Sequence, residues 1–258
     1  MPIVTFLSDF GWQDHYVAAV KAKIITKDPQ LQIVDISHEV QKFNIIQSAH
    51  ILKAIYQDFP EGTVHIVAVN TSNIHKAEPI ALKMNGHYFI GTNNGLFSLV
   101  EEKTPEEIIQ LEMKEPTSFP AKEIFAEAAV QIIKEGSIEK LGSELPLDKY
   151  QKYMPQRVKA NRELIQGHVM HIDGYGNLIT NIEKRDFDIL SKDKSIVIKF
   201  RNYGLTKVLR SYSETQSGEA FAIFNTDQKL EIGIKEGNAS ELLGLEYGSM
   251  VSIKFNDY

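Results

Sequence analysis

The chain opens on an apolar, β-rich run, Pro2 to Leu7, which stops at the turn-prone cluster Ser8-Asp9-Phe10-Gly11 and hands over to a helical stretch from Asp14. The order then repeats. Ile33 to Ile36 reads as a strand, and Ile45 to Tyr56 as a helix, because Ile45, Ala49, Leu52 and Tyr56 recur at helical spacing. Thr63 to Val69 is almost continuously apolar, as suits a strand covered on both faces. Strands alternating with helices in this way pack as a largely parallel α/β sheet. Ile80 to Met84 and Tyr88 to Ile90 flank Asn85-Gly86, a pair that supplies the two positive φ angles of a tight turn, so they read as a hairpin. Lys122 to Lys134 carries Phe125, Ala128, Ala129 and Ile132 on one side and reads as a helix ending near Gly136.

From Leu145 to Arg162 the patterning dissolves into Pro146, Pro155 and alternating charges. Beyond it, Gly167 to Ile172, Leu178 to Ile182, Ser195 to Phe200, Phe221 to Phe224, Lys229 to Ile234 and Met250 to Phe255 are short strands between turn signals, the pattern of a small antiparallel barrel or sandwich. A length of 258 residues has room for two cores. The expected organisation is an α/β N-terminal domain over 1–150, a linker over 151–163 and a C-terminal antiparallel β-barrel domain over 164–258.

Composition narrows the partners. Lys plus Arg total 28 against 34 for Asp plus Glu, so the net charge of -6 leaves no basic surplus for a phosphate backbone, and nucleic acid is not expected. The absence of cysteine excludes a disulfide framework, thiolate metal sites and a cysteine nucleophile, and agrees with a reducing cytoplasm. No signal-peptide pattern follows Met1, and no apolar run approaches the roughly 18 residues that span a bilayer. A cytoplasmic protein without a membrane partner is expected. The eight histidines show no HExxH or comparable pairing, and His168 and His171, three apart on a strand, point to opposite faces, so no metal site is expected. GxGxxG, GxxxxGK(S/T) and GxSxG are all missing, which leaves dinucleotide, Walker-type and simple serine-hydrolase readings without support.

In a parallel sheet the loops at the carboxyl ends of the strands gather around ligands. Two such loops are unusually polar here. Asp9, in Thr5-Phe6-Leu7-Ser8-Asp9-Phe10-Gly11, and Asp14 can accept hydrogen bonds from ribose hydroxyls or an amine, or Asp14 can cap the helix it precedes. Asn70-Thr71-Ser72-Asn73-Ile74-His75 follows the buried strand and reads most simply as a polar turn, as does Asn93-Asn94-Gly95. Asp173-Gly174-Tyr175-Gly176-Asn177 is ordinarily a loop between strands, but the Tyr175 ring can stack on a flat heterocycle and Asn177 can donate and accept to an amide-like edge.

Taken together, Thr5 to Gly11 with Asp14, Ile90-Gly91-Thr92-Asn93-Asn94-Gly95-Leu96-Phe97-Ser98, Ile172 to Ile182 and Phe224-Asn225-Thr226 before Leu230-Glu231-Ile232 resemble the S-adenosyl-L-methionine (SAM) hydroxide adenosyltransferase family. That family, formerly a domain of unknown function, includes the related fluorinase and chlorinase. The YGN-containing segment is the most specific part. The resemblance implies an N-terminal α/β domain, a C-terminal β-barrel, SAM as substrate with no further cofactor, and substitution at C5′ with methionine leaving. It implies Asp9 on the ribose hydroxyls, Asp173 on the methionine ammonium, Tyr175 and Asn177 at the adenine region, and Asn225 and Thr226 at the other methionine polar groups. It also implies a homotrimer whose site lies between the N-terminal domain of one subunit and the C-terminal domain of the next.

The positions that handle water depart from the family pattern. Members that hydrolyse SAM carry an Asp in a DPGVG-type turn, an Arg seven residues on, and a His in a TFHGRD-type segment; Asn70, Ala77 and Pro120 stand there in this chain. Asn is not a base, Ala has no polar group and Pro cannot exchange a proton. His75 and Lys122 are near in sequence and are the candidate replacements. The expected function is therefore cleavage of SAM with water to adenosine and methionine by a diverged site, the alternative being a protein that binds SAM or adenosine without cleaving. A third reading is an enzyme for a different adenosyl or purine nucleoside ligand.

Overall fold

A computed structural model describes residues 2–71, 78–113, 115–154 and 156–257 of the chain. The chain divides into two compact units, 1–154 and 155–258.

The first unit runs β1 (Ile3–Ser8), α1 (Tyr16–Lys27), β2 (Gln32–Ser37), α2 (Ile45–Ile55), β3 (Val64–Ala68), β4 (Pro79–Met84), β5 (His87–Thr92), α3 (Leu96–Val100), β6 (Glu107–Leu111), a π-helical turn (Ala121–Phe125), α4 (Ala126–Glu135) and β7 (Gly142–Glu144). Its seven-stranded sheet has the order β2-β1-β3-β5-β4-β6-β7. The sheet is mixed. β2, β1, β3 and β5 pair in parallel, while β4, β6 and β7 add antiparallel. β3 shows why its sequence is almost continuously apolar: Val64, Ile66 and Ala68 pack on the side of α1 and α4, and Val67 joins the opposite core with α2 and α3. The expected hairpin forms, with Asn85 at φ 49° and Gly86 at φ 76°. The helix expected from Lys122 begins instead as the π-helical turn and becomes α-helical only at Ala126, ending on left-handed Gly136, whose N–H returns to the Ile132 carbonyl at 2.7 Å. α2 is capped by Asn44, whose side chain accepts from the Gln47 N–H at 3.0 Å.

The second unit is a nearly barrel-shaped antiparallel sheet. Its elements are β8 (Lys159–Ala160), β9 (Leu164–Ile172), β10 (Leu178–Glu183), α5 (Lys184–Leu190), β11 (Lys194–Phe200), β12 (Tyr203–Leu205), β13 (Ala220–Phe224), β14 (Lys229–Ile234), α6 (Ala239–Leu243) and β15 (Met250–Asp257). The strand order is β12-β11-β15-β9-β10-β14-β13, with β8 paired to β9. Ile165, Val169, Leu178, Ile182, Leu230, Ile232, Val251 and Ile253 fill its core. Among the described residues, no helix is long and apolar enough to cross a membrane.

Candidate functional site

Parallel pairing sets Ser8 of β1 opposite Ala68 of β3, so the loops that leave the two strands meet. Asp9 lies there, only 7% exposed. Its Oδ2 accepts from the Phe43 N–H at 2.9 Å and the Asn70 N–H at 3.1 Å, and its carbonyl accepts from the Lys42 ammonium. Oδ1 takes no donor from the described residues. Asn70 holds φ at 54°, a left-handed conformation that Asn tolerates better than most residues, and this aims its N–H at Asp9.

A second set of bonds fixes the same loop from beneath. The buried His38 Nδ1 is 2.7 Å from Ser8 Oγ, Ser8 Oγ accepts from the Phe10 N–H at 3.4 Å, and the His38 carbonyl accepts from the Gly11 N–H at 2.7 Å. His38 Nε2 lies 3.1 Å from Asp35 Oδ1 but off the line of a good hydrogen bond, so the contact is electrostatic; Asp35 Oδ2 receives Lys21 Nζ at 2.5 Å. Burial pulls the His38 imidazole below its usual pKa against the pull of Asp35. Burial pushes Asp35 up, but Lys21 and His38 outweigh it and hold the carboxyl below its usual value.

The Phe119-Pro120 segment reaches this loop through aromatic contacts: Phe119 packs on Phe10 at 5.8 Å and on Tyr16 at 5.5 Å between ring centroids. Pro120 is buried in ordinary helical geometry, φ -56° and ψ -36°, and Lys122 is half-buried just after it. Asp14 corrects one expectation. It is exposed and caps nothing: α1 starts at Tyr16, its N-cap is His15, and no side chain bonds the first turn. His75 and Ala77 lie outside the described residues. The Asn93-Asn94 turn is structural, with the Asn93 amide bonding the Lys149 carbonyl and the Gln151 N–H, and the Asn94 amide the Val69 carbonyl.

In the second unit, Asp173 holds the β9–β10 loop together. Its Oδ1 accepts from the Tyr175 and Asn177 N–H groups at 2.9 and 2.8 Å, and its Oδ2 from the Asn177 amide at 3.0 Å. The loop is backed closely: a Cβ on Gly176, itself at φ 84°, would collide with the Asn238 side chain. Tyr175 is left 83% exposed. Asn225 opens the β13–β14 turn, its Oδ1 accepting from the Asp227 and Lys229 N–H groups at 3.1 Å, while Thr226 is exposed. Asn177 and Asn225 share one face of β14, Asn177 beside Gly233 and Asn225 beside Glu231.

Sequence reading passed over His38, Tyr212 and Glu231. Glu231 alternates with Leu230 and Ile232 in the strand Lys229–Ile234, so nothing in the sequence marks it as buried. Among the described residues, no group of three or more His, Cys, Asp or Glu is arranged to hold a metal ion.

Residues 4–142 match the family model described as the SAM hydroxide adenosyltransferase N-terminal domain, and residues 167–252 match the corresponding C-terminal domain. The chain belongs to this family. The (R)-S-adenosyl-L-methionine hydrolase of Methanocaldococcus jannaschii is 29% identical over 98% of this chain and 96% of its own length. A fluorinase of Nocardia brasiliensis is 29% identical over 73% of this chain and 74% of its own length. Among solved structures, an uncharacterized conserved protein from Thermotoga maritima superposes with a TM-score of 0.89 at 29% identity, covering 97% of this chain and 99% of that one.

Proposed function

We propose that the protein binds SAM and cleaves it at C5′ with water to adenosine and methionine. The observation that carries the reading is Asp9: a nearly buried carboxylate at the carboxyl end of a parallel strand, one oxygen fixed by two backbone N–H groups and the other without a donor from the described residues, in a chain whose family acts on SAM. A water oxygen attacks C5′ in line with the C–S bond; the C–O bond forms, the C–S pair leaves on sulfur as the neutral thioether of methionine, and one proton passes to solvent or a nearby base. The sulfonium is already a good leaving group, so placement of the water and exclusion of bulk solvent supply most of the rate. Asp9 takes the ribose hydroxyls, Tyr175 and Asn177 the adenine region, and Asp173, Asn225 and Thr226 the methionine end, with Asp14 at the rim. Asn70 orients water without serving as its base. The assembly in this reading is a homotrimer with the site shared between subunits, and the setting is cytoplasmic.

A second reading, a protein that binds SAM or adenosine without cleaving it, is favoured by Pro120, which is buried and cannot move a proton where hydrolysing members carry His. Incubation of the purified protein with SAM separates the two. Equal amounts of adenosine and methionine are expected; thermal stabilisation without product supports the second reading, and neither signal sinks both. Without turnover, Asn70→Asp, Ala77→Arg and Pro120→His introduced together should raise it, and each alone much less, since the three groups act on one water.

A further inference from the structure

The parallel strands β1 and β2 pair Phe6 with Asp35 but Leu7 with Ser37, so β2 carries one extra residue, Ile36, at this point. Such bulges are uncommon between parallel strands, and they re-aim the side chains beyond them. Here the slip brings His38, rather than Ser37, level with Ser8, the residue before Asp9. Both side chains are fully buried. The rings of Phe6 and Trp12 meet the imidazole edge-on at 4.6 and 4.7 Å between centroids, and the Lys21 ammonium stands 5.7 Å over the Trp12 ring. An imidazole shut away from water in this manner has only its protein partners to work on.

Those partners assign the tautomer. Asp35 faces Nε2 at 3.1 Å and is ionised, its other oxygen held by Lys21. A bare ring nitrogen would set its lone pair against that carboxylate, so the hydrogen of the neutral ring sits on Nε2. Nδ1 is then an acceptor, and at 2.7 Å it takes the hydrogen of the Ser8 hydroxyl, while Ser8 Oγ accepts from the Phe10 N–H at 3.4 Å. The His38 carbonyl holds the Gly11 N–H as well, so His38 fixes the chain on both sides of Asp9. Phe43 and Asn70 fix only the Oδ2 end of the Asp9 side chain; the backbone that carries it is held from His38. We infer that His38 is a positioning residue, which through Ser8 keeps Asp9 in the orientation that meets the ribose hydroxyls. The inference rests on the proposed reading that Asp9 takes those hydroxyls.

Calorimetry on the full chain tests it with two probes, adenosine and 2′,3′-dideoxyadenosine, which has no ribose hydroxyls for Asp9 to meet. In place of the imidazole, an Asn amide ends near Nδ1 and can still accept from Ser8, whereas a Gln amide ends near Nε2 and reaches only Asp35. Ser8→Ala and His38→Gln should each weaken adenosine by roughly 3- to 10-fold, the loss of about one hydrogen bond, with dideoxyadenosine unchanged. His38→Asn should recover most of the adenosine affinity. Ser8→Ala removes a single oxygen, and it decides alone if thermal melts show either His38 variant unfolded. Equal weakening of both probes would reduce His38 and Ser8 to structural supports, and unchanged adenosine binding in Ser8→Ala would overturn the inference outright. So would a Gln variant that binds adenosine better than the Asn variant. A wild-type chain that binds adenosine no more tightly than dideoxyadenosine removes instead the reading of Asp9 on the ribose, and one that binds neither adenosine nor SAM removes the SAM reading; the inference falls with either.

Discussion

At Asp9 the two carboxylate oxygens face different demands. Oδ2 ties the loops after β2 and β3 to the end of β1 through Phe43 and Asn70, and Oδ1, which takes no donor from the described residues, is the oxygen that the proposed function gives to the ribose. Substitution therefore has two separable effects. Asp9→Ala orphans two backbone N–H groups and should cost roughly 1–3 kcal/mol of stability as well as ligand affinity. Asp9→Asn keeps an oxygen for the N–H groups but loses the charge behind the ribose bonds, so its melting temperature should stay near wild type while SAM affinity falls about tenfold. Thermal melts and calorimetry on both variants check this. An Asn variant that binds as tightly as wild type would make Asp9 a loop residue only. His38 acts on the same loop from below, through Ser8 and Gly11.

At the scale of elements, β14 joins strand packing to the placement of Asn177, a candidate site residue. Gly233 sits opposite Phe221, and a Cβ there would strike the Phe221 ring and come within 2.5 Å of Asn177 Oδ1. Gly233→Ala should shift Asn177, cost roughly 1–3 kcal/mol by overpacking, and weaken binding of adenosine as well as SAM; unchanged adenosine affinity would detach Asn177 from the adenine region. Some of this architecture was legible in sequence for physical reasons. Asn85-Gly86 specifies its turn because few other pairs tolerate two positive φ angles, and β3 declares burial on both faces by lacking polar alternation. Other features were not. A π-helical turn keeps an apolar face much like an α-helix, so Ala121–Phe125 cannot be told from the helix it leads into. Glu231 follows the period-two alternation of a strand with one wet face, and only the segment around Leu209 and Tyr212, distant in sequence, reveals that the face is covered. Asp9 and Asn70 each stood out as polar residues at a strand end, but the bond between them depends on β1 and β3 being neighbours, which is a matter of topology.

At the scale of the whole molecule, buried histidines should contribute to the loss of stability in acid. His65 is fully buried beside β1 and β5, its Nδ1 2.7 Å from Thr5 Oγ1 and its Nε2 3.2 Å from His87 Nδ1, with the Phe89 ring stacked at 4.9 Å and the Tyr56 ring edge-on at 6.2 Å. Burial, and then the neighbouring His87, pull its pKa from 6.5 down to about 3. Burial likewise lowers His38, His87 and His171, although Glu61 partly supports the His87 charge. Well above pH 6.5 these rings are neutral in both folded and unfolded chains and contribute no pH dependence. Between 6.5 and about 3 the unfolded chain binds a proton that folded His65 refuses, so stability falls as pH falls, approaching about 1.4 kcal/mol per pH unit for that one group. Denaturant titrations from pH 7 to pH 4 should show this loss, and His65→Gln, whatever its stability at pH 7, should have a slope shallower by close to one proton. An unchanged slope in that variant would mean that the acid sensitivity lies with the carboxylates, of which Asp35, held low by Lys21 and His38, is one whose stabilising effect is also lost as pH falls through its lowered pKa.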